Sequence, residues 1–225
     1  MGNASTMPFR ALVAADIRAL CSSARYLQLV PLGLAGTVAA LWPYTGSPFV
    51  PPLAALLFGL EPAFANVLFR SPRDLEAIAL LPVEWEKVIL ARNTATALSA
   101  VAVFALMAAV LIYLVPTPPG LPETADAFLW LGTMIFPLLH IGNEISVREP
   151  RRRSGWTFDD VARAVVFLMM GAVVAGVHPL LSVVSGSAVP SVVVVCASAV
   201  YWRFRSVPAA AGRIRESLQD LVLAS

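Results

Sequence analysis

Apolar and polar positions along this chain follow two rhythms, one short and one long. Within the first 25 residues, Phe9, Leu12, Val13, Ile17, Leu20 and Cys21 recur at helical spacing, with Arg10, Asp16, Arg18 and Arg25 between them. That spacing predicts an amphipathic helix lying in a membrane interface, its basic side toward lipid head groups. Six long apolar runs follow, at 26–43, 50–69, 90–115, 125–146, 162–184 and 187–204. Each is near the ~20 residues a helix needs to cross the hydrocarbon core. Only Ser185 and Gly186 separate the last two, so a tight hairpin is expected there, with Ser182, Gly186 and Pro190 supplying the turn chemistry. Residues 70–92 are patterned differently. Ser71 suits a helix cap, Pro72 the first helical position, and Asp74 the first turn, where the helix dipole favours negative charge. Leu75, Ile78, Ala79 and Leu81 then share a face, and Pro82 ends the element. The expected fold is all-α. It is one transmembrane domain over 1–225 with six spans, an N-terminal interfacial helix and a cytoplasmic amphipathic helix between spans two and three.

Composition turns the lipid-facing reading into a requirement. Hydrophobic residues make up 58% of the chain and charged residues only 13%, against about 45–50% and about 25% in soluble domains. Such a chain has too little polar surface to stay in water, and six spans leave no length for a separate catalytic domain. Lysine and arginine set the orientation. Arg10, Arg18 and Arg25 precede the first span; Arg70, Arg73, Lys87 and Arg92 lie between the second and third. Arg148, Arg151, Arg152, Arg153 and Arg163 lie between the fourth and fifth, and Arg203, Arg205, Arg213 and Arg215 follow the sixth. These groups hold all 16 Lys and Arg residues, and the alternate loops at 44–49, 116–124 and 185–189 hold none. Both termini are therefore expected in the cytoplasm. A net charge of +2 offers no electrostatic footprint for nucleic acid. Cys21 and Cys196 are far apart, which points to neither a disulfide framework nor a cysteine-rich metal site.

The loop at 70–92 carries a family resemblance. Asn66-Val67-Leu68-Phe69-Arg70, Asp74-Leu75-Glu76, Leu80-Leu81-Pro82-Val83 and Lys87-Val88-Ile89-Leu90-Ala91-Arg92 together resemble the stretch between the second and third spans of ABC-2 type permeases. Gly142-Asn143-Glu144-Ile145-Ser146, followed by Glu149-Pro150-Arg151-Arg152, is a second point of similarity. The resemblance implies a membrane subunit of an exporter in a bacterial or archaeal plasma membrane. Such subunits pair with an identical or homologous permease and with two ATP-hydrolysing subunits. The loop would be a coupling helix seated on the ATPase, with Arg73, Asp74, Glu76, Leu81, Pro82, Trp85, Glu86 and Lys87 as candidate contacts. ATP and Mg would be handled by that partner. This chain's only lysine, Lys87, lies between Glu86 and Val88, so the phosphate-binding Gly-x-x-x-x-Gly-Lys-Ser/Thr loop is absent. The family often carries a larger external segment near its last spans, and residues 185–189 leave no room for one.

Polar residues inside apolar runs complete the inventory, because ionisable groups in a membrane are costly. Glu61, followed by Pro62, and Asn66 about one helical turn further on are candidates for a translocation path. So are His140 and Asn143, which share one helix face with Glu144 at i, i+3 and i+4. Glu144 is expected near the inner interface, paired with Arg148 or the arginine cluster. Two ligands are too few for a metal site, no His-Glu-x-x-His occurs, and the paired glutamates of an intramembrane protease are missing. His178, before Pro179, reads as a structural histidine. Two other classes compete with the exporter subunit. One is an ion-coupled secondary carrier using Glu61 and His140; the other is a non-transporting membrane scaffold in which Glu61 and Asn66 are replaceable by apolar residues.

Overall fold

The structure is a computed structural model that describes residues 8–22, 49, 53, 84–114, 119–148 and 158–223. The expected spans at 26–43 and 50–69, Leu53 apart, and the expected helix over 70–81 lie outside these residues. Among the described residues every regular element is helical. In chain order they are α1 (Phe9–Ser22), α2 (Trp85–Leu114), α3 (Leu121–Arg148), α4 (Phe158–Ser185), α5 (Val189–Tyr201) and α6 (Val207–Leu223). A π-helical turn, Trp202–Ser206, joins α5 to α6. Three stretches, Trp85–Val110, Leu121–Val147 and Val165–Ser185, are long and apolar enough to cross a membrane.

Each start and stop has a local cause. Helix α3 opens with half of a capping box: Glu123 reaches back to accept the Gly120 N–H at 2.5 Å, while the Thr124 amide and hydroxyl both donate to the Gly120 carbonyl. Between α4 and α5 the chain reverses at Gly186, whose φ of +64° is left-handed and favours glycine. Ser185 fixes this turn by donating to Leu181 O and accepting from the Ser187 N–H. Pro190 then occupies the first turn of α5, where a missing N–H costs nothing. This is the hairpin expected from the sequence.

Helix α3 is the hub. It runs antiparallel to α4, as Asp126 meets His178 and Trp130 meets Ala175. It runs parallel to the α5–α6 rod, as Gly132 meets Val195, Asn143 meets Ser206 and Glu144 meets Arg213. Leu131, Met134, Leu138 and Leu139 of α3 are fully buried, together with Phe104 of α2 and Phe167 of α4. Phe104 also meets Phe128 edge-on at 5.1 Å and Phe49 at 6.2 Å. Helix α1 packs on α2, and Asp16 lies 3.7 Å from Arg92. The N-terminal helix therefore turns an acidic residue toward the protein. Much of the remaining apolar surface faces outward, including Val165, Val166, Met169, Val173 and Val183 of α4.

The last helix outruns its apolar run. That run ends at 204 in the sequence, and the helix continues through the π turn to Leu223, carrying Arg203, Arg205, Arg213 and Arg215 with it. Its buried positions explain why. Trp202, Ser206, Ala210 and Ile214 recur every fourth residue, and at ~3.6 residues per turn such a stripe creeps ~40° around an α-helix at each step. The extra residue held in the π turn cancels most of that drift, keeping α6 against α2 and α3. Pro208 supplies a local reason for the wider turn, since its ring would crowd the Phe204 carbonyl in a regular helix.

The α3–α5 contact is close because position 132 is glycine: a Cβ there would sit 3.2 Å from Val195 Cγ2. Gly132→Leu is expected to lower stability by about 1–3 kcal/mol through overpacking. Thermal unfolding in detergent would show the loss, and Val195→Ala in the same chain should recover part of it.

Candidate functional site

Two polar centres sit at opposite ends of the bundle. At the basic end, the face of α3 carrying His140, Asn143 and Glu144 meets the π turn and α6. Asn143 Nδ2 donates to Ser206 Oγ at 3.3 Å, and His140 Nδ1 lies 3.0 Å from the same oxygen. Both side chains thus converge on one hydroxyl, which ties α3 to the π turn. The His140 ring stands edge-on to Tyr201 at 5.2 Å. Asn143 is fully buried, and its Oδ1 has no partner among the described residues. Below it, Arg213 donates to Glu144 in a partly exposed ion pair. Asn93 and Thr96, one turn apart on α2, are likewise buried without partners for their side-chain polar atoms.

The sequence-predicted residues are therefore divided. His140 and Asn143 do come together, joined through Ser206. Glu144 finds its arginine in Arg213, from the segment read as a tail, because α6 continues the last helix back against α3. Trp85 opens α2 and packs against the core. Glu86 and Lys87 are exposed on the first turn, and Lys87 pairs with Glu84 at 3.0 Å. Glu61, Asn66, Arg73, Asp74, Glu76, Leu81 and Pro82 lie outside the described residues.

The hairpin end holds an arrangement that no sequence signal announced. His178 Nδ1 lies 2.8 Å from Ser191 Oγ and His178 Nε2 lies 3.1 Å from Asp126 Oδ2. With the carboxylate accepting from Nε2–H, Nδ1 accepts from the serine hydroxyl, the connectivity of a Ser–His–Asp relay. Three helices contribute one residue each, at separations of 52 and 13 residues, so periodicity carries no trace of it. Trp130 stacks on the imidazole at 5.8 Å and donates its indole N–H to Ala175 O at 2.7 Å. That carbonyl is the one left without a helical donor by Pro179, four residues on.

Burial decides what this trio does. Ser191 is 0% exposed and His178 2%, so no reacting atom can come within the ~3 Å of Oγ that attack requires. The trio ties α3, α4 and α5 together and presents no nucleophile to a substrate. Among the described residues, no three His, Cys, Asp or Glu side chains are grouped to hold a metal.

His178→Leu is expected to destabilise the fold by about 1–3 kcal/mol, because it strands the buried Ser191 hydroxyl. Unfolding in detergent measures this. A fluorophosphonate probe should leave Ser191 unlabelled in the folded protein; labelling abolished by Ser191→Ala would reinstate a catalytic role.

No family model, no curated protein and no solved structure matches this chain.

Proposed function

We propose that this chain is the membrane-spanning subunit of an ATP-driven exporter. In this reading it forms part of a translocation path and couples to a separate ATPase subunit through residues 70–92. The observation that carries the proposal is the way this loop enters the bundle. The last of its candidate contacts, Trp85, Glu86 and Lys87, form the first turn of α2, an unbroken helix to Leu114. Glu86 and Lys87 are exposed, whereas Val88, Ile89 and Ala91 are buried directly behind them. A partner seated on these three residues would thus act directly on the first turn of α2. The Asp16–Arg92 contact braces the same helix against α1 one to two turns further on. The complete segregation of basic residues and the resemblance of the loop to ABC-2 permeases point the same way.

In this reading ATP and Mg belong to the partner ATPase, and a second permease, identical or homologous, completes the path. The bundle sits in a plasma membrane with both termini in the cytoplasm. The buried polar atoms of Asn93, Thr96 and Asn143 beside His140 favour a second reading, an ion-coupled carrier, in which Glu61 would bear the proton.

Purification in mild detergent with identification of co-purifying chains separates the two. The exporter reading expects an ATP-hydrolysing subunit in near-equal amount, with retention falling at least ~10-fold on Asp74→Lys/Glu76→Lys, a loss of about 1.4 kcal/mol or more. Retention unchanged by these reversals would remove the coupling role. Proton-driven transport lost in Glu61→Gln, with no ATPase present, would establish the carrier.

A further inference from the structure

We propose that the exposed side of the π turn, Arg203-Phe204-Arg205, binds the phosphate of an anionic phospholipid in the leaflet at the basic end. The proposal rests on the chain residing in a membrane and is independent of what it transports. Trp202 and Ser206 are buried while the three residues between them are exposed. The side chains therefore fan outward, with Phe204 central at 68% exposure and a guanidinium on each shoulder. Arg203 Cζ lies 5.7 Å from the Phe204 ring centroid, over its face.

Charge and depth together call for an anion. Arg92 and Arg213 each have a carboxylate, from Asp16 and Glu144. Among the described residues, Arg203 and Arg205 have none. They do not lie beyond the bundle. Trp202 meets Phe136 and Ser206 meets Asn143, so the arginines between them stand beside the last ~12 Å of α3 before Glu144, at ~1.5 Å per residue, within the stretch long and apolar enough to cross a membrane. A guanidinium at that height is costly unless it reaches the head-group layer and is neutralised there. Its planar fork of donors matches phosphate oxygens, and a second guanidinium beside it suits a phosphodiester.

Lipid fits better than a second copy of the chain. No Asp or Glu occurs between Val161 and Arg215, so two copies meeting through this hairpin would bring no carboxylate to either arginine. Val193, Val200 and Phe204 are all exposed and follow one line along the helix at i, i+7 and i+11. They form an apolar track above the arginines on which an acyl chain can lie.

The test is native mass spectrometry of the full chain titrated with phosphatidylglycerol and, separately, phosphatidylcholine. Phosphatidylglycerol should be retained preferentially, and Arg203→Gln/Arg205→Gln should weaken it about 30-fold, equivalent to about 2 kcal/mol for two charges. Arg203→Lys/Arg205→Lys should retain part of the binding, and Arg215→Gln should leave it within about twofold, since that residue lies beyond the site. Equal retention of both lipids, or of phosphatidylglycerol by the Gln variant, overturns the site. Displacement by millimolar inorganic phosphate would show a free-phosphate site and overturn the lipid assignment. Loss of self-association in the Gln variant at unchanged lipid binding would assign the arginines to a protein interface. Carbonate extraction of the parent chain tests the membrane reading separately, because a chain released from the pellet fails there and not at the arginines.

Discussion

A backbone that faces lipid has nowhere to send an unsatisfied N–H or C=O, and the described part of this protein is organised around that constraint. Helices answer it except where proline intrudes, and at Pro179 and Pro208 the intrusion is met by a specific device. Pro179 leaves the Ala175 carbonyl without its donor, and the Trp130 indole supplies one from the neighbouring helix. Pro208 follows a turn already widened to i→i+5 bonding, in which Val207 N–H donates to Trp202 O. Pro190 sits where no donor was due. Because the Trp130 repair comes from another helix, it also fixes how α3 and α4 lie against each other, and the aromatic face it presents then packs on His178.

Side-chain polarity extends the same logic to the two ends. Hydrogen bonds at Asp126, His178 and Ser191 hold three helices at the hairpin end, where apolar packing alone would let them slide. At the basic end, Ser206 receives Asn143 and faces His140, and Arg213 meets Glu144. The apolar middle needs none of this, being filled by Leu131, Met134, Leu138, Phe104 and Phe167. Directional interactions therefore set register, while burial supplies cohesion. Buried atoms without partners among the described residues remain at both ends, on Asn93, Thr96 and Asn143 toward the basic end and on Ser182 at the hairpin end.

How much of this was legible in the sequence depends on the range of the signal. The apolar runs at 90–115, 125–146 and 162–184 found α2, α3 and α4, since run length is a local property. Their ends moved outward by up to about five residues, because amphipathic first and last turns dilute hydropathy without ending a helix. The reversal at Gly186 was legible for the same local reason. The continuation of the last helix was not, because Arg203 to Arg215 read as a polar tail unless Glu144 is known to wait beside Arg213. Nor was the Asp126–His178–Ser191 trio, whose members share no window. His140 and Asn143 were correctly placed on one face, yet nothing in the sequence named Ser206 as the oxygen that joins them.

The π turn has a mechanical consequence. A continuous helix is a stiff strut along its axis, so from Val189 to Leu223 a thrust at one end reaches the other almost undiminished. Torsion is different. The π turn offsets the far segment by about 100° from the course of an unbroken α-helix, and the Pro208 ring opposes a return to i→i+4 bonding. The last helix therefore combines a rigid push-rod with a fixed angular offset. That offset lies at the level of His140 and Asn143.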